Sequence, residues 1–203
     1  LERFWISEPG PSALQQQLER LNEESSELGY SGQLLLAVLQ LDSGQLEQAA
    51  TTSGDLCSRY GYLCRPWVLH AEILRRRTSP QTMLQALARC PAVVQSEEIE
   101  LERSIAELDL GQPREALRRL EKLHLLRATM KALNSRALCL YLLERIEACE
   151  STLRQSLRRH PHNPDAWNQL AILARERGEY WRALRYLRTA LRQNPNHAPA
   201  HYN

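Results

Sequence analysis

Residues Pro164 to His197 read PDAWNQLAILARERGEYWRALRYLRTALRQNPNH, and this stretch decides the fold. Trp167, Leu170, Ala171 and Ala174 recur at the spacing that puts side chains on one face of an α-helix. Asp165 is the expected cap at its start. Gly178 then breaks the helix, and Tyr180, Ala183, Leu184, Leu187, Ala190 and Leu191 form a second apolar stripe. Asn194-Pro195 stops it. The stretch predicts a helix, a short turn and a second helix.

The rest of the chain supports an all-α fold. Its 203 residues are 43% hydrophobic, enough to bury a large core and to exclude a disordered chain. Leu, Ala, Arg, Glu and Gln dominate, and β-branched residues are scarce. A formal net charge of +2 gives no basis for expecting a nucleic-acid partner. Only Lys122 and Lys131 among the 26 cations are lysines. Such an arginine bias serves bidentate anion recognition or reflects a GC-rich genome, and the second is the simpler reading.

The unit at Pro164 repeats. Stepping back through the sequence, unit starts fall near Tyr30, Cys64, Glu97, Met130, Pro164 and Ala198, with steps of 34, 33, 33, 34 and 34 residues. Gly44 and Ala49, and again Gly111 and Ala116, repeat the offset of five between Gly178 and Ala183. Trp67 and Ala71 stand where Trp167 and Ala171 do. In the unit at Met130, Glu144 replaces the glycine and Cys149 the alanine. In the unit at Cys64, Thr78-Ser79-Pro80 makes the turn, and a short second helix ends at Cys90-Pro91.

These residues resemble the tetratricopeptide repeat (TPR). Trp167, Leu170, Ala171, Gly178, Ala183, Leu187, Ala190 and Pro195 meet each position of that family's pattern. The resemblance implies an α-solenoid of about five TPR hairpins over residues 30–203, preceded at 1–29 by an N-terminal segment with a capping or half-repeat helix. Within that segment, Ser12–Leu28 reads as one amphipathic helix, with Phe4 and Trp5 packing onto the first hairpin. Ala198 to Asn203 reads as the opening of a further unit, and the chain starts with Leu1 rather than Met. Both features are expected of a fragment or a processed product.

Little in the sequence points to chemistry. Five cysteines, Cys57, Cys64, Cys90, Cys139 and Cys149, form no C-x-x-C pair, so reduced and mostly buried thiols are expected, as in a cytoplasmic protein. A Cys57–Cys64 bridge is the alternative. His160 and His162, and His197 and His201, lack the partners that a metal site needs. No phosphate loop or nucleophile signature occurs, no run of apolar residues is long enough to span a bilayer, and no signal peptide is visible. No catalytic residue, cofactor or metal is expected. Arginines recur on the predicted second helices, among them Arg114, Arg118, Arg154, Arg158, Arg185, Arg188 and Arg192. A solvated face with ion pairs is the simpler reading of them, and an RNA or acidic surface the sharper one.

The family likeness implies where a partner would sit. First helices of TPR proteins line a concave groove, which here would present Leu34, Val38, Val68, Glu72 and Arg75. Leu101, Ile105, Asn134, Leu138 and Tyr141 would follow, then Asn168, Ile172 and Arg175. Leu34 and Val38 stand where the chaperone-binding subgroup has polar clamp residues, so that mode of binding is not expected. The resulting expectation is a non-enzymatic scaffold that holds a peptide or amphipathic helix of another protein. The alternative is the substrate-recruiting region of a larger enzyme, such as an O-GlcNAc-transferase-like glycosyltransferase. Self-association through uncapped ends is a further expectation, and a membrane partner is not.

Overall fold

The computed structural model describes residues 28–77, 80–124 and 128–203. The proposed Ser12–Leu28 helix, Phe4, Trp5 and the Thr78-Ser79 turn lie wholly or largely outside them. The described chain is all α, apart from a short 3₁₀ turn at Ala92–Val94. It divides into two compact units, Leu1–Ile99 and Glu100–Asn203.

The first unit contains α1 (Tyr30–Asp42), α2 (Leu46–Tyr60), α3 (Cys64–Arg77) and α4 (Pro80–Ala88). Leu36, Ala37, Ala49, Leu56 and Ile73 are completely buried in it. Trp67 is also buried, and its indole N–H donates to the Gly61 carbonyl at 2.9 Å. That bond satisfies the one polar atom of a large apolar side chain.

The boundary between the units falls in the first turn of α5 (Glu97–Asp109). The second unit continues with α6 (Pro113–Glu121), α7 (Met130–Leu142), α8 (Ile146–Arg159), α9 (Pro164–Glu176), α10 (Tyr180–Gln193) and α11 (Ala198–Tyr202). Leu133, Leu140, Leu153 and Cys139 fill its core. In four of the five described second helices the small-residue slot holds a small side chain closed to water, Ala49 and Ala116 at 0% exposed, Cys149 at 1% and Ala183 at 6%, while in α4 Met83 fills it at 0%. In the four hairpins with a small residue there, a larger side chain would force the paired helices apart.

Four turns share one geometry. Gly44, Gly111 and Gly178 have φ of +77°, +72° and +76°. In each, the glycine N–H donates three residues back, and the next N–H donates five back, as Gln45 does to Gln40 at 2.8 Å. This is a Schellman closure, which satisfies carbonyls left open at a helix end. Glu144 makes the same bonds, Glu144 N–H to Tyr141 and Arg145 N–H to Leu140, at a φ of +58°. The hairpin thus keeps its turn without the glycine, at a cost of about 1–2 kcal/mol for a side chain in the left-handed region. Glu144→Gly is therefore expected to stabilise the second unit by about 0.5–1 kcal/mol, after the entropy of the more flexible unfolded glycine. Urea unfolding followed by circular dichroism checks it, and a lower midpoint refutes it.

Two acidic residues are inside. Glu102 is 3% exposed and pairs with Lys131, while Glu107 is 7% exposed and takes a bidentate bond from Arg119. Arg119 also reaches Glu100 at 2.5 Å, and Glu100 holds Arg103 at 2.9 Å. The bonds from Glu107 and Glu100 hold the Arg119 guanidinium firmly in its charged form, against the opposing pull of burial.

Candidate functional site

Each first helix of the second unit is placed by the residue just before it. Asn163 precedes α9 and is fully buried. Its Oδ1 accepts from the Ala166 N–H at 3.2 Å, which caps the helix. Its amide also reaches two other helices: Nδ2 donates to Asn134 Oδ1 on α7 at 2.8 Å and to Ser156 Oγ on α8 at 2.9 Å. Asn134 Nδ2 returns a bond to Asn163 Oδ1 at 3.2 Å.

The arrangement recurs at the next start. His197 caps α11 through Nδ1, which accepts from the Ala200 N–H at 3.1 Å, and its Nε2 meets Asp165 of α9 at 2.8 Å. In the first unit, Ser96 Oγ accepts from the Ile99 N–H at 3.4 Å and contacts Cys64 Sγ at 2.9 Å. Asp165, the expected cap of α9, instead lies in its first turn and bonds to its neighbours. The helix begins two residues earlier than a cap at Asp165 requires. Sequence reasoning missed the bridging caps, although Ser96, Thr129, Asn163 and His197 carry the signal. They are polar residues at steps of 33, 34 and 34, each directly before a helix start.

The expected groove residues divide by environment. In the first unit Leu34, Val38 and Val68 are half-buried, Glu72 pairs with Arg76 at 3.2 Å, and Arg75 is exposed. In the second unit Leu101 and Ile105 are not on the surface. They are 6% and 8% exposed and belong to the core cluster of Leu117, Leu120 and Leu140. Helical periodicity marks an apolar face without telling core from groove, and burial of such side chains is worth about 1.5–3 kcal/mol each. Asn134 is committed to the Asn163 network. Asn168 is buried and accepts from Asn203 Nδ2 at 3.1 Å. Arg175 is exposed, and its Nη1 donates to Asn203 Oδ1 at 3.3 Å.

The other groove residues come together. Leu138 and Tyr141 of α7, Gln169 and Ile172 of α9, and the deeper Cys149 and Leu173 line a small apolar cleft of about 60 Å³. Leu138 is 38% exposed at its mouth. Gln169 Oε1 is buried without a hydrogen-bond partner. Tyr141 donates to Glu176, which pushes the phenol pKa up. The cleft therefore offers apolar contact for one side chain of a ligand.

The thiols are poor nucleophiles. Burial raises Cys57 and Cys139 to about 12 and Cys149 to about 11, and burial beside Glu98 raises Cys64 as well. Burial, helped by Arg77, lowers His70, whose Nδ1 contacts Ser53 Oγ at 2.8 Å. His160 meets the Ala128 carbonyl at 2.9 Å, and His201 the Pro195 carbonyl at 2.7 Å. Among the described residues, no three His, Cys, Asp or Glu side chains gather as a metal site would require.

Helical hairpins repeated at 33–34 residues, with Schellman turns and small residues where paired helices meet, define an α-solenoid repeat protein. Residues 152–185 match the family model of the tetratricopeptide repeat. None of the curated proteins matches the sequence. Solved structures share the fold. YrrB, described as a TPR protein with an unusual peptide-binding site, is 16% identical with a TM-score of 0.57, over 94% of this chain and 96% of that one. PilW, a type IV pilus biogenesis factor, is 18% identical with a TM-score of 0.70, over 81% and 77%. A TPR protein from Parabacteroides merdae is 14% identical with a TM-score of 0.71, over 94% and 77%. The chain thus has the fold of tetratricopeptide-repeat proteins and carries a repeat of that family at residues 152–185.

Proposed function

We propose that the chain is a non-catalytic scaffold whose first-helix side binds an apolar segment of another protein. The observation that carries this reading is the cleft between α7 and α9. There Leu138 is exposed at the mouth, and the lining is almost wholly apolar. Such a recess, with Arg175 exposed on α9, suits one anchoring side chain of a peptide. YrrB, by its description a peptide-binding protein, shares the fold and lends support. A reducing compartment such as the cytoplasm suits the five free thiols.

The test is selection of a phage-displayed random peptide library on the immobilised chain. Peptides enriched on the parent are expected to lose at least about tenfold in affinity for Leu138→Glu/Arg175→Glu, with circular dichroism showing both proteins folded. Peptides that bind parent and variant equally would remove the cleft from the reading.

A further inference from the structure

The outer face of α10 carries a row that no other second helix completes: Arg188 and Arg192 recur as Arg154 and Arg158 on α8, but Trp181 has no counterpart. Trp181, Arg185, Arg188 and Arg192 are spaced by four, three and four residues. That spacing aligns them along one face for about 16 Å. Trp181 is 82% exposed, with Tyr180 at 67% and Leu184 at 42% beside it. Arg185, Arg188 and Arg192 are exposed and form no ion pair among the described residues, and Arg192 donates only to Thr189 Oγ1 at 3.3 Å. Together with Thr189 and Leu191 they line an open depression of about 650 Å³.

The repeat itself does not require these residues. At the Trp181 position the four preceding units carry Glu47, Gln81, Arg114 and Glu147, all exposed. At the Arg185 position they carry Thr51, Gln85, Arg118 and Ser151. A tryptophan held in water gives up the large burial energy available to it. Trp, Tyr and Arg are also the residue types that dominate binding energy at protein interfaces. Unpaired guanidinium groups, planar and always charged, match carboxylates in pairs of hydrogen bonds.

We propose that this face of α10 docks an acidic amphipathic helix of a partner protein. Carboxylates of the partner helix face Arg185, Arg188 and Arg192, and its apolar side chains cover Trp181. The three unpaired cations select an acidic partner, and the apolar residues beside them select one with an apolar stripe. The face is distinct from the cleft between α7 and α9.

The probe is a fluorescein-labelled helical peptide of about 16 residues, whose length of about 24 Å spans the whole face. It carries glutamates at i, i+3 and i+7 with leucines alongside, and anisotropy is read with the full chain. Binding is expected to weaken as salt rises. It is expected to fall at least about tenfold for Arg185→Glu/Arg188→Glu and about fivefold for Trp181→Ala. Arg114→Glu/Arg118→Glu, the same charge change on α6, and Leu138→Glu/Arg175→Glu in the cleft are expected to change it less than about twofold. All these variants are checked for helicity. Equal losses in the α6 or cleft variants, or none in the α10 variants, overturn the proposal. So does tighter α10-dependent binding of single-stranded polyuridylate or of phosphatidylserine vesicles, which would assign the face to nucleic acid or lipid.

Discussion

Asn163→Ala lowers the stability of the second unit by about 3 kcal/mol, read from urea unfolding by circular dichroism. About 1 kcal/mol of that is the lost cap of α9. The remainder comes from Asn134 and Ser156, which lose their close partner and keep only contacts of 3.5 Å to each other and to Asp165, at about 1–3 kcal/mol for polar groups whose partner is removed. Asn163→Asp separates the two parts. It retains an acceptor for the Ala166 N–H but has no amide to donate to Asn134 or Ser156, so its loss is expected to fall between zero and that of the alanine variant. A loss near 1 kcal/mol for Asn163→Ala would mean that Asn163 is a cap and nothing more.

Lys131→Ala is expected to cost about 3 kcal/mol. The Glu102 side chain is 4% exposed, and Lys131 is its ion-pair partner. The other oxygen, Oε2, has no hydrogen-bond partner. Removing the ammonium leaves a carboxylate in the interior with nothing to compensate it, and such a loss typically costs about 3–5 kcal/mol. Lys131 is 41% exposed, so water reaches the site and the lower end applies. The double replacement Lys131→Met/Glu102→Leu tests the cause. Once both charges are gone the desolvation penalty goes with them, and stability is expected to return to within about 1 kcal/mol of the parent. A double variant as unstable as Lys131→Ala would show that the site needs its polar groups for another reason.

The hairpin fold was legible because its determinants are local. A glycine five residues before an alanine marks a turn followed by a close helix crossing, and Gly44, Gly111 and Gly178 take the left-handed conformation that such a turn needs. Glu144 shows why a degenerate unit can still be read. Its neighbours impose the same closure, and the strain stays below what the hairpin gains by packing. The site was less legible. Leu101, Ile105, Leu138 and Ile172 share one periodicity, yet the first two lie in the core and the last two line the cleft. What separates them is which helix packs across each, and that is a long-range property. The burial of Glu102 and Glu107 was hidden for a related reason. A glutamate in a helical stripe reads as solvated until its cation, Lys131 or Arg119, is found 29 or 12 residues away. His197, which resembled half of a weak metal pair, is a helix cap whose second nitrogen meets a carboxylate.

The bridging caps also bear on how the units assemble. In an array whose members touch only their neighbours, cooperativity depends on the coupling between adjacent members. Starting a helix is the costly step in its formation. Asn163 and His197 join the two processes, because the side chain that closes the first turn of one hairpin is held by the hairpin before it. A finished hairpin therefore supplies the template on which the next helix nucleates. Growth along the second unit acquires a direction, from the amino-terminal hairpin outward, and fraying at the first turn of α9 loosens the hold on α7 and α8 in the same event.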